Sequence, residues 1–349
     1  MSNRHIAILT GPDTYLDHIG VICYLMKMPL IITEESTYLS ALQFYPQLQV
    51  IKKEIGDLSA DFLANNFDVI FESGRFWSEE LNPLLKLLYK KNMRFVFCPH
   101  GNSDKGHSFT NHMHQDLSLV YGDHMIDLLT QTRAIQKIKS TLRTGNYRLP
   151  FYRKYQSFYD NLVEQHVTKN IDPTKKTILY APTWQDGENP SSFFFETEKL
   201  IKELSNHFNL IIKLHPFLEQ FHPAHTYQIA GRYENTPGVV FLDKFPAIYP
   251  LLAISDLYIG DYSSIGYDFL AFDKPLYFLA GDKEISCKSP LHHTGLLIPS
   301  SLDSYEFIEK TLERNQTEKA QIRKQTYEYA FGEEKLFSTL QEEIITKIS

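Results

Sequence analysis

The segment LYIGDYSSIGYDFLAF, residues 257–272, decides how this chain folds. It begins with an apolar run typical of a buried strand, breaks at Gly260 and Asp261, and continues with helical spacing over 265–272. A short apolar strand that leads directly into a helix is typical of a parallel sheet covered by helices on both faces. Ligands of such sheets bind beyond the carboxyl ends of the strands, where Asp261, Ser263 and Ser264 lie.

The same alternation of strand and helix runs through the rest of the chain. Apolar runs predict further strands at residues 6–9, 30–33, 69–71, 94–98, 117–121, 177–180, 210–214, 239–242 and 276–279. Helical spacing predicts helices at residues 16–26, 83–91, 125–138, 196–208, 247–254 and within 302–348. Two such series predict an α/β protein with two doubly wound domains facing a cleft.

The boundary between the domains is expected where the alternation stops, near residues 145–172. The prediction is an N-terminal Rossmann-like acceptor-side domain over 1–150 and a C-terminal Rossmann-like nucleotide-donor domain over 151–349. In this prediction the last helix can pack against the N-terminal domain.

Composition excludes several classes of protein. The chain has 349 residues, a hydrophobic fraction of 43% and a net charge of −7, which fits two globular domains and argues against a nucleic-acid binder. The N-terminus has no secretory pattern and no apolar run is long enough to span a bilayer. Cys23, Cys98 and Cys287 are far apart in apolar settings and are expected to be reduced. A cytoplasmic protein is predicted, and the oligomeric state is undetermined.

Three further polar clusters follow predicted strands. Lys213 and His215 close one strand, and Thr183 and Trp184 follow another. A cation, an imidazole and a hydroxyl at such positions can neutralise or bind phosphate. Each cluster also has an ordinary structural explanation: a helix cap, a hydrogen-bonded turn or a packed loop tryptophan.

The third cluster follows the strand at 94–98 and is the most polar. Histidine is the usual general base near neutral pH, and glycine lets the backbone approach a ligand closely. A polar run directly after an apolar strand has little use in packing, so a functional loop is predicted. Its residues are His100, Gly101, Asn102, Ser103, Asp104 and Lys105.

Residues 133–159 form a basic stretch in which aromatic residues alternate with lysine and arginine. Two interpretations remain open: a linker with solvated charges, or a surface for an anionic acceptor or the membrane. Arg143 and Arg148, on either side of Gly145, are the residues predicted to reach the acceptor side of the cleft.

Taken in order and spacing, the motifs resemble those of the CDP-glycerol glycerophosphotransferase family. The resemblance covers roughly residues 95–280 and is most specific in the Asp-Tyr-Ser-Ser block that starts at Asp261. The other matching motifs are Tyr180-Ala-Pro-Thr-Trp184, Lys213-Leu-His-Pro216, Asp268-Phe269 and Lys274-Pro275. Members build teichoic-acid-like polyol-phosphate chains and have the GT-B fold, so the resemblance implies both for this chain.

The resemblance also implies roles for individual residues. His100 is implied as the base and His215 as the contact to the donor pyrophosphate. Ser263 and Ser264 are implied as phosphate ligands, with Asp261 shaping their loop. Lys213, Thr183 and Trp184 are expected near the donor.

The His100 motif departs from the family pattern. The family loop reads His-Gly-Thr-Pro-Leu-Lys, whereas this chain has Asn102, Ser103 and Asp104 before Lys105. The basic residue often found after the family tryptophan is Gln185 here. These changes affect how the acceptor and the donor are bound, and they leave the identity of the polyol open.

The predicted reaction moves a polyol phosphate, foremost glycerol phosphate, from a CDP-polyol to a hydroxyl of a glycan or polyol-phosphate acceptor. The acceptor can be lipid-linked, which would bring the protein to the inner face of the cytoplasmic membrane as a peripheral protein. No cofactor or metal is expected, because helix amides and cations can hold the phosphates and because His107, His112 and His114 lack zinc-type spacing.

Three alternatives remain. A GT-B glycosyltransferase or an epimerase would use a nucleotide sugar on the same architecture. A binding protein without turnover would recognise polyol phosphate alone. The identity of the donor separates the first two from the main prediction, and turnover separates the third.

Overall fold

The computed structural model describes residues 4–104, 106–184, 191–261, 263–279 and 289–349, and at 106–108 this description covers the backbone only. The chain divides into two compact units. The first unit comprises Met1–Lys154 together with Tyr329–Ser349, and the second unit comprises Tyr155–Glu328. Each unit is built around one parallel sheet.

The first unit contains a seven-stranded sheet in the order β3-β2-β1-β4-β5-β6-β7. Its strands are β1 (His5–Leu9), β2 (Leu30–Ile32), β3 (Val50–Lys52), β4 (Val69–Glu72), β5 (Arg94–Phe97), β6 (Leu117–Val120) and β7 (Thr141–Arg143). The second unit contains a six-stranded sheet in the order β10-β9-β8-β11-β12-β13. Its strands are β8 (Thr177–Ala181), β9 (Asn209–Lys213), β10 (Val239–Leu242), β11 (Leu257–Gly260), β12 (Leu276–Leu279) and β13 (Leu296–Ile298).

Fifteen helices lie within the described residues. They are α1 (Val21–Met26), α2 (Glu35–Phe44), α3 (Ala60–Asn66), α4 (Asn82–Tyr89), α5 (Asp123–Gln131), α6 (Arg148–Lys154), α7 (Gln156–His166), α8 (Phe193–Leu204), α9 (Pro216–Phe221), α10 (Pro223–Tyr233), α11 (Ile248–Ile254), α12 (Ile265–Phe269), α13 (Ser304–Glu318), α14 (Ala320–Phe331) and α15 (Phe337–Ile348). No helix in this part of the chain is both long and apolar enough to cross a membrane.

The sequence explains where several helices begin. Ser59 accepts a hydrogen bond from the amide of Phe62 at 3.1 Å and caps α3. Asp303 caps α13 in the same way through the amide of Glu306, at 3.0 Å. Prolines stand in the first turns of α4, α9 and α10, where a missing N–H costs nothing.

In both sheets the order in which strands are added reverses beside the first strand, between β1 and β4 in one unit and between β8 and β11 in the other. All paired strands are parallel, and the central strands are buried on both faces, which explains their continuous apolar sequences. Ile8 pairs with Glu72, and Ala181 pairs with Gly260. These pairs locate the two switch points, where ligands of doubly wound sheets bind.

Local features shift some predicted boundaries. The predicted helix over 16–26 begins with a π-helical turn at Leu16–Gly20 before α1. The helix predicted over 125–138 was too long: α5 ends at Gln131, and Arg133 has a left-handed φ of 58°. The edge strands β3, β7 and β13 were not predicted, because three residues are too few to show a period.

Candidate functional site

In the first unit, His100 lies on a loop that leaves the carboxyl end of β5. The His100 loop, residues 98–104, turns at Gly101, whose φ of 150° favours glycine. The imidazole of His100 stacks on the ring of Tyr15, with centroids 4.2 Å apart and planes inclined by 20°. Burial raises the pKa of Tyr15 to about 12, so its hydroxyl stays protonated at neutral pH. Tyr15 follows β1, and its position after a strand end is the signal that could have identified it.

Two other buried histidines lie near His100. His18, in the π-helical turn, bonds through Nδ1 with the hydroxyl of Tyr121. Burial holds the pKa of His18 well below its usual range, and the charges of Arg148 and His100 lower it further. Burial also lowers the pKa of His112 to about 3, again with a contribution from His100. Both imidazoles are therefore neutral at physiological pH.

The predicted acceptor-side residues Asn102 and Asp104 have partners inside the first unit. His124 Nδ1 lies 2.8 Å from Asn102 Oδ1, and His124 Nε2 lies 2.8 Å from Asp104 Oδ1. Ser103 between them is half-buried. Lys105, the last residue of the predicted loop, lies outside the described residues. Sequence reasoning missed His124, although it follows a buried strand and stands in the first turn of α5.

The two arginines predicted at the acceptor side differ in their surroundings. Arg148 is only 1% exposed, and its guanidinium donates to Asp17 Oδ2 at 2.9 Å. The ion pair with Asp17 keeps the guanidinium inside the first unit, and the contact of Arg148 with an acceptor stays a prediction. Arg143 is exposed at the end of β7 and pairs with Asp123 at 2.6 Å.

In the second unit, Asp261 organises the polar residues beyond β8 and β11. Its Oδ1 accepts the amide of Thr183 at 2.8 Å, and its Oδ2 accepts the amide and the hydroxyl of Ser192 at 3.1 and 2.7 Å. The carboxylate is almost fully buried, at 3% exposure. Asp261 therefore shapes this region rather than offering its oxygens to a donor, because phosphate would be repelled by it. Ser192, the residue before α8, was not predicted.

Ser263 and Ser264 stand where the chain enters α12. Ser263 Oγ accepts from the amide of Ile265 at 3.4 Å, and Ser264 occupies the N-cap position without a side-chain capping bond. Tyr262 lies outside the described residues. The two serines thus lie at the start of a short helix, beside the Asp261 carboxylate. The backbone amides of this helix start can bind a phosphate only together with other hydrogen-bond donors.

His215 and Trp184 lie side by side. The ring centroids are 6.3 Å apart, and Trp184 also packs against Phe217 and Phe221, at 5.0 and 5.6 Å. His215 Nδ1 accepts the amide of Phe217 at 3.2 Å and caps α9. That bond uses the Nδ1 lone pair, so the ring hydrogen is on Nε2, where it can be donated to a phosphate oxygen.

Lys213 is the donor-side residue that the fold turns inward. It is 4% exposed, and its Nζ donates to the carbonyl oxygens of Leu214 at 3.2 Å and Asp243 at 3.5 Å. These bonds stabilise the ends of β9 and β10. They place the ammonium charge inside the second unit, where it can attract an anionic ligand electrostatically without contacting it.

Each unit thus has polar side chains at the carboxyl ends of a doubly wound sheet, and this arrangement is that of a GT-B protein. A wall teichoic acid polymerase, TagF, has a similar solved structure, with a TM-score of 0.67 and 16% identity over 99% of this chain and 89% of that one. This likeness confirms the predicted fold.

The family described as CDP-glycerol:poly(glycerophosphate) glycerophosphotransferase matches residues 91–288, more than half of the chain. The chain belongs to this family of transferases, which confirms the resemblance of its motifs.

Curated relatives match over a shorter stretch. A teichoic acid glycerol-phosphate primase of Bacillus spizizenii is 31% identical over 170 residues, 48% of this chain and 41% of the relative. A teichoic acid poly(glycerol phosphate) polymerase of Bacillus subtilis is 31% identical over 163 residues, 44% of this chain and 20% of the relative. The matched region therefore spans less than half the length of either protein.

Proposed function

We propose that the protein transfers glycerol phosphate from CDP-glycerol to an acceptor hydroxyl and releases CMP. Family membership supports the donor, and the held geometry of His100 is the structural observation that carries the proposal. An imidazole stacked on a protonated tyrosine at the end of a central strand has a fixed ring plane, which suits a general base. The reaction is a transfer rather than a hydrolysis, since the named relatives make or prime a polymer.

The proposed chemistry assigns one role to each group. The acceptor oxygen attacks the phosphorus that bears glycerol, while His100 takes the hydroxyl proton. The bond from that phosphorus to the bridging oxygen breaks, and CMP leaves with the negative charge. His215 donates from Nε2 to a donor phosphate oxygen, and the Ser263–Ser264 turn supplies further donors. Positioning and charge stabilisation are the main contributions to catalysis of phosphoryl transfer.

Release of CMP tests this proposal. CDP-glycerol, CDP-ribitol, CMP-sugars and UDP-sugars are offered to the wild type with and without a polyol-phosphate acceptor. We expect acceptor-dependent release from CDP-glycerol, a fall in kcat of about 10²–10⁴-fold in His100→Ala, and mainly a higher donor KM in His215→Ala. His114→Asn, at an exposed position shortly before β6, is the matched control and should behave as the wild type.

Other outcomes identify the alternatives. Turnover of a nucleotide sugar alone would assign the protein to the GT-B glycosyltransferases or epimerases. Binding of CDP-glycerol that His100→Ala leaves unchanged, with no CMP from any donor, would indicate a binding protein.

We further propose that the acceptor is lipid-linked and that α4 brings the first unit to an anionic membrane. Leu84, Leu87 and Leu88 are 45%, 67% and 65% exposed on this helix, and Lys86 and Lys90 are exposed beside them. Exposed leucines interspersed with lysines suit the interface of an anionic bilayer, where apolar side chains insert and cations meet headgroups.

Vesicle binding tests the α4 surface. Leu87→Ser with Leu88→Ser should lower sedimentation with phosphatidylglycerol vesicles by about tenfold or more. The matched control is Leu39→Ser with Leu42→Ser on α2, which removes two leucines of similar exposure, 55% and 48%, from a helix that begins with Glu35. Equal loss in both pairs, or equal binding to neutral vesicles, would refute a specific role for α4.

A further inference from the structure

His124 holds two side chains of the loop that carries His100. Its ring lies between Asn102 and Asp104, with both nitrogen-to-oxygen distances at 2.8 Å. The Asn102 amide group donates to the carbonyl of Ala330 at 3.1 Å, so its oxygen is the atom that faces His124. Both ring nitrogens of His124 therefore lie within hydrogen-bonding distance of an oxygen of the His100 loop.

This clamp is anchored to the body of the first unit. His124 is 2% exposed and Asn102 is 1% exposed. Gly122, two residues before His124, passes so close to α14 that a Cβ there would lie 2.6 Å from the Ala330 oxygen. The same carbonyl thus limits the position of Asn102 and of the start of α5, which leaves the clamp little freedom to shift.

The loop is also held on its other side. His100 stacks on Tyr15, and only Gly101 separates His100 from the clamped Asn102. Asn102 and Asp104 stand where the family pattern has threonine and leucine, so two of the three departures of this loop are residues that His124 binds. A leucine at 104 would offer the imidazole no acceptor.

We propose that His124 is a positioning residue for His100: it fixes the loop so that the imidazole is presented to the acceptor hydroxyl. The inference rests on the proposed function of His100. Both ring nitrogens of His124 are engaged by the loop, so it acts through the loop and not on the substrate. Displacement of a reacting group by about 1 Å can lower a rate by roughly 100-fold, and that is the effect a lost clamp would have.

Steady-state kinetics of CMP release tests the clamp. His124→Ala is expected to lower kcat by roughly 10- to 100-fold and to leave the donor KM unchanged. Asp104→Ala should act in the same direction, and since this side chain is 23% exposed its loss leaves no buried cavity. Asp104→Asn keeps an oxygen that can accept from Nε2 and should restore most of the rate.

A control variant and a double variant of His100 and His124 make the test specific. Tyr329→Phe removes the hydroxyl that donates to Asp127 at 2.6 Å but keeps the ring against His124, and it should be silent. In a His100→Ala background, His124→Ala should have no further effect, because the residue it positions is absent. Full kcat in His124→Ala, a change in KM alone, or an additive loss would overturn the proposal.

Hydrogen exchange of the amides in residues 98–104 provides a measurement that needs no turnover. Exchange should be faster in His124→Ala and unchanged in Tyr329→Phe. Unchanged exchange would overturn the clamp even if CMP release confirmed the proposed function. A wild type that releases no CMP, with the clamp intact by exchange, would refute the function and with it the role of His124.

Discussion

The two units carry a buried carboxylate at the same place in the same topology, yet the two carboxylates connect different parts of the chain. Glu72 ends β4 and Asp261 follows β11, and each of these strands lies next to the first strand of its sheet. Glu72 accepts the backbone amides of Trp77 and Ser78, both at 3.1 Å, on its own loop, and it also accepts the side-chain amide of Gln115 at 2.9 Å. Asp261 instead accepts from Thr183 and Ser192, which belong to the segment after β8.

The difference shows how one fold places different chemistry in its two halves. The backbone amides that Glu72 binds belong to the loop after its own strand, so this carboxylate shapes that loop. The backbone amides that Asp261 binds lie across the switch point. This carboxylate therefore joins the loop after β11 to the segment that leads into α8, and so defines the surroundings of Ser263. In the first unit, the proposed base His100 lies one strand further along, on the loop after β5.

Removing the Asp261 carboxylate should have the largest effect. Asp261→Ala leaves two amides and one hydroxyl without their acceptor, and we expect the second unit to lose about 3–5 kcal/mol of stability and CMP release to be abolished. Denaturant unfolding of the variant measures this. Asp261→Asn, which keeps one acceptor oxygen, should lose less, and equal losses in the two variants would contradict the role of the individual bonds.

Removing the Glu72 carboxylate should lower the free energy of unfolding by less. Glu72 is 1% exposed, and burial raises its pKa, although bonds from Gln115 and Ser78 and the amides of Trp77 and Ser78 oppose the shift. Glu72→Ala should lower the stability of the first unit by about 2–3 kcal/mol and leave the donor KM unchanged. Loss of CMP release as complete as in Asp261→Ala would contradict the distinction between the two carboxylates.

Within a single pH unit, the smallest expected change in stability is a pH dependence specific to the first unit. The pKa of His112 falls from 6.5 to about 3 on folding, so between these values the unfolded chain binds more protons and stability falls as the pH falls. The contribution is about 1.4 kcal/mol per pH unit. His112→Gln removes this titration but keeps a side chain that can bond Ser118, which lies 2.6 Å from the imidazole. Melting curves of the wild type and variant should therefore diverge across that range, and parallel curves would contradict the assignment.

The sequence identified most central strands and the polar residues after them. Continuous apolar runs such as residues 257–260 can only be buried, and a glycine or polar residue must end them. Position after a strand singled out His100, His215 and Asp261 as candidates, whose roles stay predictions. Arg148 was predicted from its place beside Gly145 in the basic stretch, and its ion pair with Asp17, 131 positions away, was not visible in the sequence.

By itself, the sequence determined the class of fold and the family and predicted the strand ends at which the site lies, because these follow from local periodicity and short motifs. Only the tertiary structure decided which polar groups serve the fold. Asp261 turns to the amides of Thr183 and Ser192, Lys213 turns inward, and His124 joins two side chains of the His100 loop. Except for the bond from Lys213 to the carbonyl of its neighbour Leu214, those partnerships form between residues distant in sequence, and a buried polar group bonds whichever partner packing places within about 3 Å.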